Sequence, residues 1–153
     1  NTLDFSKFRP VSGDYDGDGC FDLARYHSVA GVWFISALDG AAIKMNEPWG
    51  WDGADAVPGD YDGDGMSDLA VFNHLSGDWY ILSPDGRVLA WAEEWGWPSA
   101  EPAPGDYDGD GVSDLAVFDQ ATGFWYILSL AGPVLAWGTP WGWPGAYPPG
   151  GRE

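Results

Sequence analysis

Basic residues are scarce in this sequence: six Lys and Arg stand against 24 Asp and Glu, which gives a formal net charge of −18. So negative a field makes nucleic acid and anionic lipid surfaces poor partners. The single cysteine excludes a disulfide within the chain. No apolar run approaches the roughly 20 residues of a membrane-spanning helix. We therefore expect no nucleic-acid partner and no membrane insertion.

Residue sets that common enzymes need are also missing. The two histidines, His27 and His74, fall at positions that are not equivalent in the repeating pattern described below. No Ser/His/Asp set, phosphate-binding glycine loop or zinc-ligand spacing is recognisable. We therefore expect a protein that is not an enzyme.

What the sequence does contain is a repeat. The stretch "GDYDGDG" begins at Gly13, Gly59 and Gly105, which gives a period of 46 residues. The rest of the chain follows the same period, as in repeat proteins. We therefore divide the single repeat domain, 1–153, into an N-terminal strand segment 1–12, repeats 13–58, 59–104 and 105–150, and a C-terminal tail 151–153.

Each repeat predicts short β-strands and no helix. "DLAVF" and "WYILS" are rich in β-branched and aromatic residues, and "RVLAW" or "PVLAW" follows as a third strand. Asp-Gly pairs at Asp39-Gly40 and Asp85-Gly86 indicate hairpin turns in two copies. The Pro-rich stretch before the next acidic loop is predicted to be a fourth, short strand. The fold class is therefore all-β.

The predicted strands are apolar on both faces, with Leu69 and Val71 on one and Ala70 and Phe72 on the other. A sheet with one face in water would alternate apolar and polar residues, so these sheets must be covered on both sides. Blades of a β-propeller are covered in this way, and four strands suit the period. We expect three four-stranded propeller-like blades, incomplete as a closed propeller. A β-trefoil of three repeats is the alternative.

The acidic loops carry the chemistry. Numbered from its first aspartate, each loop reads D-x-D-G-D-G-x-x-D, and glycine permits the tight turn. Carboxylates this close repel one another unless a cation lies among them. Oxygen ligands in this number select a hard cation, so we expect three Ca²⁺ ions, one per repeat. The proposed carboxylate ligands are Asp14, Asp16, Asp18 and Asp22 in the first loop, Asp60, Asp62, Asp64 and Asp68 in the second, and Asp106, Asp108, Asp110 and Asp114 in the third.

Two further positions define the kind of loop. Position 7 has no shared side-chain chemistry, which favours a backbone carbonyl ligand from Cys20, Met66 and Val112. An EF-hand begins in the same way but needs an acidic residue at position 12, which is here Arg25, Val71 or Val117. The pattern therefore favours a short calcium loop between two strands. Solvated Asp/Gly turns without a metal are the alternative.

Taken together, the acidic loop, the "DLAVF" and "WYILS" strands and the "WGWP" return resemble FG-GAP repeats, also called VCBS-type repeats. These are the calcium-binding blades of integrin-α-like propellers, and the resemblance covers nearly the whole chain. It implies a calcium loop between the first and second strands of each blade. It also implies an extracellular or cell-surface, non-enzymatic role in adhesion, scaffolding or ligand binding. The chain departs from the family in having three blades, because closed propellers have about four to eight.

An arc of three blades leaves two faces uncovered. Arg25 replaces the valine of the other repeats. This substitution indicates either a polar end of the array or ordinary sequence drift, with the arginine side chain extending to solvent. The segment before the acidic loop occurs four times and the rest of the repeat three times, so one copy could complete a neighbouring subunit by β-augmentation. We expect a secreted structural or adhesion module that associates head-to-tail into a homo-oligomeric ring or filament. A fragment of a longer propeller is the alternative.

A repeated aromatic motif offers a second functional hypothesis. "WGW" occurs once in each repeat, and aromatic platforms between blades could stack on sugar rings and bind carbohydrate as a lectin does. The alternative is a purely structural role, because large aromatic residues dominate core burial. The candidate ligand-binding residues are Trp49, Trp51, Trp95, Trp97, Trp141 and Trp143.

Overall fold

A computed structural model describes residues 4–140 of the chain. These residues form twelve β-strands and one 3₁₀ turn, Phe5–Lys7, in three antiparallel sheets that we call blades 1, 2 and 3. Blade 1 contains β1 Phe8–Pro10, β2 Leu23–His27, β3 Val32–Ser36 and β4 Ala42–Pro48. Blade 2 contains β5 Ala54–Ala56, β6 Leu69–Asn73, β7 Asp78–Leu82 and β8 Val88–Glu94. Blade 3 contains β9 Glu101–Pro102, β10 Leu115–Asp119, β11 Phe124–Leu128 and β12 Val134–Pro140.

The predicted all-β fold of three four-stranded blades is confirmed. In every blade the strands pair in sequence order, and the described residues close no barrel, so the β-trefoil alternative is wrong. No helix within residues 4–140 is long and apolar enough to cross a membrane. The predicted return segment at 141–150 and the tail at 151–153 lie outside the described residues, as does the start of the chain at 1–3.

The boundaries of the blades and of the sequence repeats differ by one strand. β5 lies before the second acidic loop in sequence, yet it pairs with β6 beyond that loop, with Ala56 opposite Val71. The predicted fourth strand of each repeat is therefore the first strand of the next blade. The three acidic loops consequently connect the first and second strands of their blades, as the resemblance implied.

The β6–β7 hairpin requires a glycine, Gly77, because it turns tightly and lies against the backbone of the "WGW" segment. Gly77 adopts φ +86°, in the left-handed region that L side chains rarely occupy. A Cβ at this position would collide with the backbone of Gly96 and Trp97. The "WGW" segment thus packs directly against the hairpin of its own blade, and Gly77 is required for both the turn and the contact.

The core lies between the blades. Leu69, Ala70, Val71 and Phe72 are all fully buried, so both faces of β6 are covered, as their apolar character predicted. One cluster joins blade 1 to blade 2, with Trp33 of blade 1 among its buried residues. A second cluster joins blade 2 to blade 3. Each large buried side chain contributes roughly 1.5–3 kcal/mol, so blade stacking supplies much of the stability.

The two outer faces of the stack differ from the inner ones. Leu23 of blade 1 is 57% exposed, whereas its equivalents Leu69 and Leu115 are fully buried against the preceding blade. Tyr107 of blade 3 is 44% exposed, whereas its equivalents in blades 1 and 2 are buried against the following blade: Tyr15 and Tyr61. Within the described residues the stack therefore presents one uncovered surface at each end.

Arg25 lies on the uncovered surface of blade 1. Its guanidinium carbon is 4.5 Å from the ring centroid of Phe8 and 5.0 Å from that of Phe34. Phe5, in the 3₁₀ turn, adds a third ring at 5.8 Å. Cation–π contacts of this kind hold the charge against the blade without burying it. Arg25 therefore makes the outer face of blade 1 more polar than the inner faces.

Candidate metal sites in the acidic loops

Each acidic loop is closed by a short backbone bridge. In the second loop the N–H of Asp68 donates to the carbonyl oxygen of Gly59 at 2.7 Å, and the first and third loops form the same bridge. The loop therefore begins and ends at one point, immediately before the second strand of its blade. This closure brings the first and ninth positions of the motif together.

The first aspartate organises the interior of the loop. Asp60 Oδ1 accepts from the N–H of Gly63 at 2.8 Å, and Oδ2 accepts from the N–H of Gly65 at 2.9 Å. Asp14 and Asp106 make the equivalent pairs of bonds. Because both glycines have positive φ, their N–H groups can turn inward toward the carboxylate. This is the physical reason for the D-x-D-G-D-G spacing.

The ninth aspartate is the buried member of the loop. Asp68 is fully buried, and its Oδ2 accepts from the N–H of Tyr61 at 2.7 Å. Its Oδ1 has no hydrogen-bond partner, and the same is true of Asp114 Oδ1. The hydroxyl of Tyr61 donates to the carbonyl oxygen of Val57 at 2.6 Å and so anchors the loop to its blade. A buried, unpaired carboxylate oxygen is costly unless a cation or donor meets it.

Three carboxylates converge in each loop, with ligand atoms within 4.8 Å of one another. In the second and third loops the converging residues occupy positions 1, 3 and 9; in the first they occupy positions 1, 3 and 5. The remaining predicted carboxylates, Asp22, Asp64 and Asp110, lie in the same loops outside these groups of three. The converging sets are Asp14, Asp16 and Asp18; Asp60, Asp62 and Asp68; and Asp106, Asp108 and Asp114.

The electrostatics of the loops reflect this crowding. Burial, together with the neighbouring carboxylates of Asp62 and Asp64, raises the pKa of Asp68 to about 8. Burial likewise raises the pKa of Asp114, with Asp110 acting in the same direction. A carboxyl group in these surroundings resists ionisation unless positive charge is supplied. The donor set, all oxygen and mostly anionic, fits a hard divalent cation such as Ca²⁺.

Position 7 of the loop contributes to packing between loops. A Cβ placed on Gly17 would lie 2.9 Å from Cγ of Met66, and one on Gly63 would lie 3.0 Å from Cγ2 of Val112. The side chain at position 7 therefore covers the glycine of the preceding loop. In blade 1 the residue at this position, Cys20, is exposed as a free thiol. These contacts do not test whether the backbone carbonyl oxygen at position 7 binds a metal, so that role stays a prediction.

Neighbouring loops are also joined through their backbones, which the sequence reasoning missed. The N–H of Ser67 donates to the carbonyl oxygen of Asp14 at 2.6 Å, and its hydroxyl accepts from the N–H of Asp14 at 3.2 Å. The N–H of Ser113 donates to the carbonyl oxygen of Asp60 at 2.7 Å. A serine at position 8 in two of the three loops was the available signal. The candidate metal sites are thus connected from one blade to the next.

Arg87 is a second residue beside a candidate site that the motif did not reveal. Its Nη2 lies 2.9 Å from Oδ2 of Asp62, and its Nε lies 2.9 Å from Oδ2 of Asp85. Arg87 is far from the second loop in sequence, but the hairpin between β7 and β8 brings it back to the loop. A positive charge therefore lies beside one of the converging carboxylates.

The "WGW" tryptophans lie at the blade interfaces. The indole N–H of Trp49 donates to the carbonyl oxygen of Tyr80 in blade 2 at 3.2 Å, and Trp95 bonds to Tyr126 in the same way at 3.1 Å. Trp51 and Trp97 pack edge-on against these two tyrosine rings, each with centroids 4.9 Å apart. The four residues are partly buried, so they join blades together. Trp141 and Trp143 lie outside the described residues.

Two other tryptophans, unremarked in the sequence reasoning, are far more exposed. Trp91 is 68% exposed and Trp137 is 73% exposed. Trp91 is fixed edge-on by Trp49 and Tyr80, at centroid distances of 5.9 and 5.0 Å. Trp137 is held by the equivalent rings of the next blade. The structure therefore presents two similar exposed indoles, one on each of two consecutive blades.

Comparison with protein families supports the resemblance. The FG-GAP-like repeat family matches residues 60–117, which run from the first aspartate of the second loop into β10. No curated protein and no solved structure gave a significant match to the chain. The chain thus contains FG-GAP-like repeat sequence, arranged as a β-repeat module of three blades.

Proposed function

We propose that this protein is a non-enzymatic, extracellular structural module that binds three Ca²⁺ ions, one in each acidic loop. The observation that carries the proposal is the pair of buried carboxylate oxygens, Oδ1 of Asp68 and of Asp114, which lack a hydrogen-bond partner and belong to converging carboxylate groups. A cation held there would meet these unpaired oxygens and allow the buried carboxyl groups to ionise. Isothermal titration of the chelated protein tests it, with uptake of three Ca²⁺ ions expected and no uptake contradicting it.

Calcium is the favoured ion for two reasons. It accepts six to eight oxygen ligands in flexible geometry, which suits carboxylates supplemented by backbone carbonyls. Magnesium requires nearly ideal octahedral geometry and keeps several of its waters, so these crowded loops suit it poorly. Calcium sites of extracellular modules bind in the range of about 10⁻⁴–10⁻³ M, so a compartment with millimolar calcium would fill such sites.

The role of the ion is structural. Once bound, it would draw the carboxylates of a loop together and fix the start of the second strand of that blade. The bond from Ser67 to Asp14, and its counterpart from Ser113 to Asp60, would pass this rigidity to the neighbouring blade. Calcium would thus stiffen the stack of blades as a unit.

Residues 4–140 leave both ends of the stack uncovered, which supports head-to-tail association of this module with other copies of itself. Leu23 occupies the position at which Leu69 and Leu115 are buried by the preceding blade. Tyr107 occupies the position at which Tyr15 is buried by the following blade. At these two positions, one copy offers another the residues that neighbouring blades bury within the chain, whereas Arg25 stands where Val71 and Val117 are buried. Such contacts close into a ring or extend into a filament, as in an adhesion scaffold.

Sedimentation velocity in millimolar calcium tests the assembly. We expect the mass to rise with protein concentration, and Leu23→Asp to hold the protein as a monomer because it places a charge in the proposed contact. Leu75→Asp is the matched control, since Leu75 is also exposed but lies in the β6–β7 hairpin. A wild-type protein that remains monomeric at every concentration would rule out head-to-tail association without affecting the calcium proposal.

Carbohydrate binding is a second candidate function, favoured by the exposed Trp91 and Trp137. Rigid, exposed indoles provide flat apolar faces for sugar rings, and two of them on consecutive blades could bind neighbouring units of a polysaccharide. Titration of sugars with tryptophan fluorescence as the readout tests this. We expect a response that Trp91→Ala and Trp137→Ala each weaken. No response to any common sugar would remove the candidate.

A further inference from the structure

Within residues 4–140, the second acidic loop has a basic neighbour that the first and third loops lack. Arg87 follows the Asp85-Gly86 turn, and its guanidinium reaches the loop of its own blade. Nη2 is 2.9 Å from Oδ2 of Asp62 and 3.9 Å from Oδ2 of Asp64. Nε is 2.9 Å from Oδ2 of Asp85, which holds the side chain in this direction. The guanidinium therefore bridges the hairpin turn and the loop.

The equivalent positions in the other blades carry no charge. One repeat earlier the residue is Ala41, and one repeat later it is Pro133. Among residues 4–140, basic side chains form ion pairs with carboxylates of the second loop and with none of the first or third. In the described part of the chain, an ion pair with a basic side chain thus distinguishes the second loop from the first and third.

We propose that Arg87 is a built-in counter-ion that competes with Ca²⁺ at the second loop, so that this loop binds calcium more weakly than the first and third and fills last. This inference rests on the proposed calcium-binding function. Arg87 then has a regulatory role, because it makes the calcium affinity of the second loop lower than that of the first and third.

The contact with Asp62 provides the physical reason. Asp62 is one of the three converging carboxylates of the second loop, and Arg87 occupies one of its oxygens. A calcium ion must draw this carboxylate away from the guanidinium or bind beside a positive charge. Because the Arg87 side chain is 56% exposed, solvent screens the effect. We expect the affinity of the second loop to be roughly three- to tenfold lower than that of the others.

Arg87 has a second consequence when calcium is scarce. Its charge offsets part of the repulsion among the carboxylates of the second loop, whereas the first and third loops have no such partner in the described chain. The second loop should therefore keep its geometry in chelator better than the other two. Low calcium would leave the middle of the stack ordered and loosen its outer loops.

The equivalent turn of blade 1 offers a position where an arginine can be introduced beside the first loop. Asp39-Gly40 forms the same turn in blade 1, where the N–H of Ala41 donates to Oδ1 of Asp39 at 3.0 Å. In blade 2 the N–H of Arg87 donates to Oδ1 of Asp85 at 3.2 Å. Ala41→Arg would therefore place a guanidinium beside the first loop with an anchoring aspartate already present. Blade 3 has Ala131 at the anchoring position and is a poorer host.

The experiment compares the full chain with Arg87→Met, which keeps side-chain length and removes the charge, and with Ala41→Arg. Calorimetric titration with Ca²⁺ gives the classes of sites, and amide NMR signals of the loop glycines assign them: Gly19, Gly65 and Gly111. In the wild type we expect the Gly65 signal to respond last. In Arg87→Met the second loop should gain three- to tenfold in affinity, and in Ala41→Arg the first loop should lose a similar factor.

The outcomes separate this inference from the proposed function. Three equivalent sites in the wild type, unchanged in Arg87→Met, would overturn the inference and leave calcium binding intact. A lower affinity of the second loop in Arg87→Met would also overturn it, because Arg87 would then be supporting the site. No calcium uptake by any of the three proteins would overturn the proposed function and this inference with it.

Discussion

The N–H of Ser67 in the second acidic loop donates to the carbonyl oxygen of Asp14 in the first at 2.6 Å. This bond ties the first residue of one candidate metal site to the neighbouring site. Ser113 repeats it with Asp60, at 2.7 Å. Metal binding in one loop should therefore affect the packing of two blades, and the free energy of unfolding of the whole stack should depend on metal.

The effect of Asp68→Asn on the free energy of unfolding should differ between saturating calcium and chelator. The amide retains an oxygen for the N–H of Tyr61 and removes the charge of a buried side chain. In saturating calcium we expect a loss of about 2–3 kcal/mol in the free energy of unfolding, since one ion no longer binds. In chelator the variant should be at least as stable as the wild type at neutral pH, because the amide avoids the cost of keeping a buried carboxyl group protonated.

Chemical denaturation in both conditions measures these differences. Asp52→Asn is the control, since Asp52 is an exposed carboxylate outside the loops and should leave both values unchanged. A loss of equal size with and without calcium would mean that Asp68 acts through packing alone.

Trp49→Phe tests the structural role of the "WGW" motif. The substitution keeps an aromatic ring but removes the indole N–H that donates to the carbonyl oxygen of Tyr80. We expect a loss of about 1 kcal/mol in the free energy of unfolding, since a partly buried hydrogen bond between blades is lost. Trp91→Phe is the matched control, because Trp91 packs against the ring of the same tyrosine without bonding to its carbonyl oxygen and is mostly exposed. Equal losses would refute the special role of the Trp49 bond.

Glycine substitutions separate backbone strain from collision. Gly86→Ala places a Cβ in open space at φ +97°, so we expect a loss of about 1 kcal/mol from strain alone. Gly77→Ala has a similar φ, but its Cβ would meet the backbone of Gly96 and Trp97. We expect about 3 kcal/mol or more for this substitution, because the backbone must move. Thermal unfolding of both variants in calcium measures the difference, and similar melting temperatures would contradict the close packing of these segments.

Much of the fold was predictable because the relevant signals are local and repeated. Strands without polar alternation, such as β6, required cover on both faces, and Leu69 to Phe72 are indeed fully buried. The period of 46 residues gave the number of blades. The spacing of aspartates and glycines gave the loop, since Asp60 is held by the N–H groups of Gly63 and Gly65 within the motif itself.

Contacts between distant residues could not be read from the sequence. The repeat pattern alone put β5 at the end of its repeat, and only the resemblance implied that β5 pairs with β6 across an acidic loop, as observed. Arg87 meets Asp62 only because a hairpin returns it to the loop. Trp91 and Trp49 are both tryptophans in short apolar segments, and only packing decides that the first is mostly exposed and the second partly buried.

The most direct test of the central claim is thermal unfolding of the full chain in calcium and in chelator, combined with elemental analysis of bound metal. Three ions per chain and a melting temperature lower by about 10 °C or more in chelator are predicted, since each saturated site contributes about 2–3 kcal/mol. Magnesium at the same concentration should restore little of the loss. A chain that carries no calcium and melts at the same temperature in both solutions would contradict the account.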